Sequence, residues 1–368
     1  MKYFNKKFLL FFIVCSVILL AKADNFVVNG NEYAVSDDGN SVTLRAFVGD
    51  PDTLKCYVIP DVVENEGKIY PVTMLDFYQG FSEISLDELY VGSNLQYLLY
   101  DSFYSNSVRR VVWNARNCEV LDLVTSSAPA KTSASRSRYV EPYGFGKIRT
   151  ERLEEVVIGD EVVSLPEQFV QGAVIKSLHI PASLTDIHSS SFFGCEGLES
   201  ISVDAANPFF DSRDGCNGVV RTADDALVLA CATTRIPAGI KVIETRIYCS
   251  LSVKSVVLPN SIIKIESEAF GDCAELERLE CHVADPSDIE LSSTLDFSSF
   301  YGIPTKTCVL YVPKGSAGLY RRANQWKDFA NIVEMDEETP PLKGDLNGDG
   351  RVDVEDVNAL VNIILKVE

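Results

Sequence analysis

The 368-residue sequence predicts a β-rich repeat solenoid, with short strands and irregular or short helical returns, followed by a small calcium-binding loop-helix segment. Three observations predict this fold class. Two stretches align without a gap, apolar-proline pairs recur along the chain, and one C-terminal stretch carries oxygen ligands at the spacing of a calcium loop. We expect the solenoid with its N-terminal cap at residues 24–335, a linker at residues 336–343 and the calcium-binding segment at residues 344–368.

The clearest repeat is formed by residues 175–198, "IKSLHIPASLTDIHSSSFFGCEGL", and residues 253–276, "VKSVVLPNSIIKIESEAFGDCAEL". Lys, Ser, Pro, Phe, Cys and Leu recur in place, and the apolar positions match as well. Residues 236–249, "IPAGIKVIETRIYC", form a third and looser copy. An apolar residue precedes proline at Ile59-Pro60, Ile180-Pro181, Ile236-Pro237, Leu258-Pro259 and Val312-Pro313. Self-similarity at a fixed period predicts a stacked repeat architecture.

Each copy is typical of one solenoid coil. A short strand such as "KSLHI" (176–180) alternates inward and outward side chains, and the next proline ends it because proline has no N–H for a ladder. A second apolar stretch, "LTDI" (184–187), follows, and "SSSFFGC" (189–195) closes the coil with a buried aromatic side chain. Since one coil cannot bury its own apolar face, neighbouring coils stack and share a core. The period of about 23 residues lies in the range of leucine-rich repeats.

The pattern L-x-x-L-x-I-P-x-S-I-x-x-I-x-x-x-A-F-x-x-C resembles the BspA-like leucine-rich repeats of secreted and surface proteins of anaerobic bacteria. Residues 207–231 are similar to that family's two-strand insertion between repeats, and residues 308–335 to its terminal coil. The resemblance spans roughly residues 26–335 and is specific in the second half; before residue 150 the sequence only echoes the pattern. It implies a right-handed leucine-rich-repeat coil.

Five further segments complete the predicted organisation. Residues 26–48 read as short strands broken by Asn-Gly and Asp-Gly turns, which would cap the first coil. Residues 126–138 are Ser- and Ala-rich with three basic residues, and indicate a disordered loop between coils or, alternatively, a docking segment for an acidic partner. A short helix is expected in residues 315–326 and a last strand at residues 331–335. Residues 336–343, charged and with paired prolines, are typical of a linker.

The first 23 residues are typical of a secretory signal peptide. Lys2, Lys6 and Lys7 precede an apolar run at residues 8–20, and residues 21–23 form a small-x-small cleavage site. An uncleaved membrane anchor is the alternative, but the run is short for a span. No later stretch is long and apolar enough to cross a bilayer. We therefore expect a secreted or cell-surface protein.

The charge of the chain excludes two classes of partner. The formal charge is −20, and removal of the signal peptide, which carries four lysines and no acid, leaves a mature chain near −24. Nucleic acids and anionic membrane surfaces are disfavoured by such a field.

Cleavage would also remove Cys15 and leave nine of the ten cysteines, none of them in a C-x-x-C pair typical of zinc or redox sites. Cys195 and Cys273 share one repeat position, which predicts a buried row of free thiols. A disulfide between Cys216 and Cys231 across the insertion is a second possibility.

No catalytic pattern emerges from the sequence. His179 aligns with Val257 and His188 with Glu266, so neither histidine recurs in the matching coil. The sequence lacks a G-x-S-x-G elbow, an H-E-x-x-H helix and a phosphate-binding glycine loop. The sequence does not exclude a cysteine-histidine nucleophile pair, since nine cysteines remain. We expect a protein that is not an enzyme, with a glycan-active or other hydrolase as a remote alternative.

The C-terminal stretch "GDLNGDGRVDVEDVNALVNIIL" (344–365) carries the predicted metal site. Counted from its first aspartate, positions 1, 3, 5, 7, 9 and 12 are the oxygen ligands of an EF-hand-type loop, with glycine at position 6 for the sharp turn. Position 7 contributes its backbone carbonyl. The six ligands are Asp345, Asn347, Asp349, Arg351, Asp353 and Asp356. Hard oxygen ligands at this spacing predict Ca²⁺ as the bound cation.

Aspartate at position 12 followed directly by a helix resembles a dockerin repeat. That family uses tandem loop-helix segments to bind calcium and to dock onto cohesin modules. This chain has one such segment instead of two, and Val354 and Glu355 stand where a Ser/Thr pair is common. The following residues Val357, Leu360, Val361 and Ile364 form one apolar helical stripe. The stripe must pack on the solenoid, on a second chain or on a partner such as a cohesin-like module.

These observations lead to one functional hypothesis and one structural alternative. The hypothesis is a secreted or cell-surface binding or adhesion protein, whose solenoid face takes protein or glycan ligands and whose calcium-loaded tail serves docking or assembly. The alternative is a structural spacer that is attached to a larger extracellular complex through the tail.

Overall fold

The computed structural model describes residues 25–77, 84–99, 102, 103, 106–121, 144, 145, 148–188, 190–249, 251–294 and 297–335. The predicted signal peptide (1–23), the Ser/Ala-rich loop (126–138), the linker (336–343) and the calcium-binding segment (344–368) lie outside these residues.

The described chain is mostly β-strand. The strands up to the first long gap are β1 (Asn25–Val28), β2 (Asn31–Val35), β3 (Val42–Phe47), β4 (Cys56–Ile59), β5 (Val62–Asn65), β6 (Lys68–Leu75), β7 (Ser85–Val91), β8 (Tyr97–Leu99), β9 (Ser107–Trp113) and β10 (Glu119–Leu121). The middle strands are β11 (Glu155–Ile158), β12 (Ser177–Ile180), β13 (Ser200–Val203), β14 (Phe210–Asp211), β15 (Val219–Arg221), β16 (Ala226–Leu229) and β17 (Val242–Ile243). The last strands are β18 (Ser255–Leu258), β19 (Lys264–Ile265), β20 (Arg278–Cys281), β21 (Glu290–Leu291), β22 (Ser293–Thr294), β23 (Phe297–Ser298), β24 (Val309–Val312) and β25 (Asn331–Glu334).

Helical structure is limited to short pieces. The single α-helix among the described residues, α1, spans Ala317–Tyr320 and lies inside the predicted 315–326 region. Short 3-10 turns occur at Pro51–Thr53, Arg213–Gly215, Pro286–Asp288 and Trp326–Asp328. This composition confirms the predicted β-rich coil with short helical returns.

Parallel strands from successive coils form one line along the molecule, which we call the first ladder. Its members pair in the orders β4-β7-β9-β11, β12-β13 and β18-β20-β24-β25. In β12 and β18, side chains alternate between exposed and buried along the strand. Four of these strands, β4, β12, β18 and β24, end directly before a proline, as predicted.

A second ladder runs along another side of the coils. It consists of β3-β6-β8-β10, then single-residue bridges that join Asn117, Ser164 and Asp186, and then β16-β17-β19-β21. The second apolar stretch of each repeat thus forms a strand of two residues or one bridge. The antiparallel strands β1, β2 and β3 close the N-terminal end of this ladder, where the sequence predicts a cap.

Aromatic side chains form a buried stack between the ladders. Ring centroids lie between 5.6 and 6.2 Å apart along Tyr57, Phe77, Phe103, Phe145, Phe169 and Phe192. A second stack runs through Tyr248, Phe270, Phe300 and Trp326, with separations of 5.3, 6.0 and 4.7 Å. The predicted aromatic closure of the coil is therefore confirmed and also extends to coils whose sequences match the repeat poorly.

The insertion at residues 207–231 separates the two stacks. It contains three antiparallel strands, β14, β15 and β16, where two were predicted. Both faces of β16 are buried, and its side chains divide between two cores: Leu227 packs into the C-terminal core and Val228 into the N-terminal one. The looser copy at residues 236–249 begins shortly after the insertion, and no strand ends at its Ile236-Pro237 pair.

The repeat-position cysteines make equivalent hydrogen bonds. The Cys195 thiol donates to the Val170 carbonyl oxygen at 3.3 Å, and the Cys273 thiol to the Tyr248 carbonyl oxygen at 3.0 Å. Both are buried, as predicted, but they do not form a continuous row because Leu251 occupies the position in the coil between them.

The suggested disulfide between Cys216 and Cys231 is absent, since both are free, buried thiols. The Cys231 sulfur instead lies 3.3 Å from the Asn217 amide nitrogen and 3.3 Å from the Thr233 hydroxyl oxygen.

Candidate functional site

The first ladder presents an exposed face, which we call the outer face, on the side away from the core. Because side chains alternate along a strand, every second residue of each strand lies on it. In β4, β7, β9 and β11 the register aligns Val58, Tyr90, Val112 and Val157 across four neighbouring strands. Val58 is 50% exposed and the other three are half-buried. We call this set the apolar row.

A charged row runs beside the apolar row. The same registers place Cys56, Glu88, Arg110 and Glu155 side by side. The Arg110 guanidinium lies 2.5 Å from the Glu88 carboxylate and 3.0 Å from the Glu155 carboxylate. Both hydrogen bonds raise the pKa of Arg110, and the one with Glu155 has the larger effect. A cation between two carboxylates fixes all three side chains, so this part of the outer face is pre-organised.

The middle of the outer face is polar. On β12 and β13, His179 and Ser202 pair in register, and the His179 Nδ1 atom lies 3.0 Å from the Ser202 hydroxyl oxygen. His188 lies on a turn and contacts the Ser190 hydroxyl at 2.6 Å and the Glu167 carboxylate at 3.8 Å. Each of these two histidines thus contacts a serine hydroxyl, and neither contacts a cysteine among the described residues.

The C-terminal part of the outer face has its own aligned row: Val257, Glu280, Tyr311 and Val333 on β18, β20, β24 and β25. The Arg278 guanidinium lies 3.7 Å from the centre of the Tyr311 ring, a cation–π contact, and 2.6 Å from the Glu280 carboxylate.

His282 completes this C-terminal cluster. Its Nε2 atom lies 2.7 Å from the second oxygen of Glu280. The hydrogen bond with His282, followed by that with Arg278, lowers the pKa of Glu280 to about 2. The sequence analysis did not single out this cluster, although the i, i+2, i+4 spacing of Arg278, Glu280 and His282 in an extended segment was a usable signal.

The predicted metal ligands cannot be placed on this face. Asp345, Asn347, Asp349, Arg351, Asp353 and Asp356 all lie outside the described residues. Among the residues that the structure describes, no group of three or more His, Cys, Asp or Glu side chains is arranged to hold a metal ion. Within the same residues, no helix has the length and apolarity needed to cross a membrane.

Comparisons with known proteins agree with the repeat architecture. The family described as "BspA type Leucine rich repeat region" matches in six copies, over residues 133–211 and 230–303. No curated protein matches the chain.

Among solved structures, a leucine rich cell surface protein from Faecalibacterium prausnitzii is 17% identical with a TM-score of 0.39, over 87% of this chain and 97% of that one. The pneumococcal vaccine antigen PcpA is 12% identical with a TM-score of 0.44, over 86% and 99% of the two chains. A leucine-rich repeat protein from Bacteroides ovatus is 13% identical with a TM-score of 0.42, over 84% and 76%. The strand ladders and the match to the repeat family give the chain a β-rich fold of leucine-rich-repeat type, and the two matched stretches are similar to BspA type repeats.

Proposed function

We propose that the protein is exported and acts outside the cell or on its surface as a non-enzymatic binding or adhesion protein. The outer face is the proposed ligand-binding surface, and a protein or glycan is the proposed ligand. The observation that carries the proposal is the apolar row of Val58, Tyr90, Val112 and Val157, aligned on four paired strands.

The apolar row has the properties of a ligand-contact surface. Its backbone is held by parallel strand pairing, so binding would order little of the protein and cost little conformational entropy. Tyr90 offers an apolar ring and a hydroxyl, a combination that serves as an anchor in protein interfaces and as a stacking surface for sugars. The ion pairs of Arg110 border the row with polar groups that are already in place.

The C-terminal row extends the proposed surface. Tyr311 is held from one side by Arg278, and Glu280 keeps its charge far below neutral pH because of His282 and Arg278. Solenoids commonly use several coils at once to bind an extended ligand. A ligand that contacts both rows would span the insertion between β13 and β18.

Binding tests with matched variants check this proposal. Val58→Glu places a charge in the apolar row, whereas Val62→Glu changes a residue of similar exposure, 47% against 50%, that lies outside it. We expect Val58→Glu and Tyr90→Ala to abolish binding on glycan arrays and to extracellular protein panels, and Val62→Glu to retain it. Equal binding by all variants would exclude the apolar row as the contact surface.

The tail is proposed to bind Ca²⁺ through Asp345, Asn347, Asp349, Arg351, Asp353 and Asp356, on the evidence of ligand spacing alone. A dockerin-like role, with a cohesin-like module as the partner, is proposed on the same pattern. Calorimetric titration of the full chain with calcium tests the metal site. We expect saturable heat that Asp345→Ala removes and that Asp336→Ala, outside the loop, leaves in place; no saturable heat in the wild-type chain would refute it.

A spacer role is the second candidate, favoured by the ladders that run the length of the described solenoid. In that role the tail alone captures a partner and the outer face is inert. Substitution Leu360→Asp in the apolar stripe would then abolish assembly, while Tyr90→Ala would have no effect. The reverse pattern favours the binding function.

A further inference from the structure

An open groove of about 550 Å³ lies beside the terminal coil, on another part of the molecule from the apolar row. Its apolar lining includes Ile289, Leu319, Ala323 and Trp326. Leu319, on α1, is 39% exposed, although its neighbours in sequence, Ala317 and Tyr320, are buried. The indole N–H of Trp326 is buried and has no hydrogen-bond partner among the described residues. The groove therefore carries apolar surface and one unsatisfied donor.

The rim of this groove includes one charge of each sign, Arg322 and Asp285, and the segment that carries Arg322 is basic in an otherwise acidic protein. Residues 314–327 contain four basic residues, Lys314, Arg321, Arg322 and Lys327, and no acidic one, whereas the whole chain has a formal charge of −20. Arg322 lines the groove, and neither Arg322 nor Lys327 forms an ion pair with a described residue. Arg322 would attract an acidic occupant, and Asp285 would repel one.

The chain itself continues with a segment of complementary chemistry. Residues 336–368 contain nine acidic and three basic residues, a formal charge of −6. Within them, Val357, Leu360, Val361 and Ile364 recur at helical spacing and define one apolar stripe, and the charged residues lie before and after this stretch in the sequence. One bound Ca²⁺ would leave this segment negative.

The exit point of the chain lies close to the groove. The Glu334 carboxylate accepts a hydrogen bond from the Ala317 N–H at 3.1 Å, so β25 ends against the start of the helix that carries Leu319. From there, the eight linker residues 336–343 span up to about 28 Å when extended. The linker is therefore long enough for the tail to fold back onto the groove.

We propose that residues 344–368 dock into this groove, with the apolar stripe over Leu319 and acidic residues of the tail facing Arg322. Docking would complete the terminal cap of the solenoid by covering its last apolar surface. It would also make the stripe unavailable to an outside partner until the tail is released. The proposal does not depend on the ligand of the outer face.

Hydrogen exchange on the full mature chain, in calcium and in chelator, tests the proposal. We expect Leu319→Asp and Arg322→Glu to accelerate amide exchange in residues 357–364 by about tenfold or more. Two matched controls should leave this exchange unchanged: Val174→Asp, at 42% exposure, and Arg235→Glu, an exposed arginine far from the groove in sequence. Identical exchange in wild type and both groove variants would overturn the proposal.

Cross-linking distinguishes the chain's own tail from other occupants. In a Cys56→Ser background, Leu319→Cys and Leu360→Cys should form an intramolecular disulfide when oxidised glutathione is added to dilute protein. Leu319→Cys with Val367→Cys, outside the stripe, is the control and should cross-link less. Cross-linked dimers instead of monomers would assign the groove to a second copy and overturn the proposal. Loss of outer-face binding would bear only on the proposed function.

Discussion

The Asn217 side-chain carbonyl oxygen accepts a hydrogen bond from the backbone N–H of Ile201 at 2.7 Å. The same side chain donates to the Glu199 carbonyl oxygen at 2.8 Å. Ile201 lies on β13, where the first ladder is interrupted by the insertion, so a side chain supplies hydrogen bonds that a neighbouring strand would otherwise make. Asn217 has φ +54°, a left-handed conformation that asparagine tolerates better than most residues.

Asn217→Ala is therefore expected to reduce the free energy of unfolding by about 2–3 kcal/mol, since it leaves the Ile201 N–H of β13 unpaired and adds backbone strain. Chemical denaturation measures the effect. Asn29→Ala is the control, because Asn29 has φ +50° but lies in an exposed turn, so it reports the cost of the conformation alone. Equal losses in the two variants would mean that the hydrogen bonds contribute nothing.

The aromatic stack predicts a large effect at its centre. Phe270 is fully buried, with ring centroids 5.3 Å from Tyr248 and 6.0 Å from Phe300. We expect Phe270→Ala to cost about 3–5 kcal/mol of stability and Phe270→Leu roughly half of that. Phe209→Ala, at a residue that is 45% exposed, should be nearly neutral. A Phe270→Ala protein as stable as the Phe209→Ala protein would show that the stack adds little.

Thiol labelling checks the placement of the cysteines. Cys56, on the outer face, is exposed, whereas the other eight described cysteines are buried. Iodoacetamide should modify Cys56 in the native protein and the others only after denaturation, as mass spectrometry of tryptic peptides would show. Cys56→Ser should remove the native reaction. Rapid native labelling of Cys195 or Cys273 would contradict the packing of the coils.

Alkaline pH should destabilise the fold through its buried thiols. Burial raises the pKa of Cys118, Cys195 and Cys273 to about 12, from an ordinary value near 9. Above pH 9 the unfolded chain loses these protons and the folded chain keeps them, so the free energy of unfolding should fall between pH 9 and 12. The slope approaches about 1.4 kcal/mol per pH unit for each thiol. Cys195→Ala with Cys273→Ala should make the decline shallower.

The Glu280 cluster predicts that the free energy of unfolding falls as the pH is lowered into the acid range. The hydrogen bond with His282, and then that with Arg278, lowers the pKa of Glu280 to about 2. The stabilisation is present above the ordinary pKa of 4.5 and is lost as the pH falls from there to 2. Glu280→Gln should thus lower stability at pH 7 by about 1–2 kcal/mol and match wild type near pH 2. Glu196→Gln, at an exposed residue, should match wild type throughout.

The coils that could be predicted from the sequence are those in which the spacing and the residue types both match the repeat. Residues 175–198 and 253–276 repeat the proline, the aromatic and the cysteine, and the structure places each where the repeat predicts. The cap, α1 and β25 were also predictable, because turn residues and alternating apolar residues mark them.

The first half was harder to predict from the same signals. β7 and β9 join the first ladder although their sequences lack the proline that ends β4, β12, β18 and β24. Stacking requires only that buried side chains such as Leu89 and Val111 meet in register, and many sequences satisfy that condition. The apolar row and the Asn217 contact depend on neighbours about 15 to 50 residues away, and spacing within one coil does not encode them.

The insertion has a consequence for how such a chain can change over generations. The strands β15 and β16 send some side chains into one core and some into the other, so this pair of strands, which we call the wall, closes both cores. Coils on one side of the wall can be gained, lost or rewritten while the packing on the other side is conserved. The wall therefore lets side chains of one core be substituted while the packing of the other core stays in place.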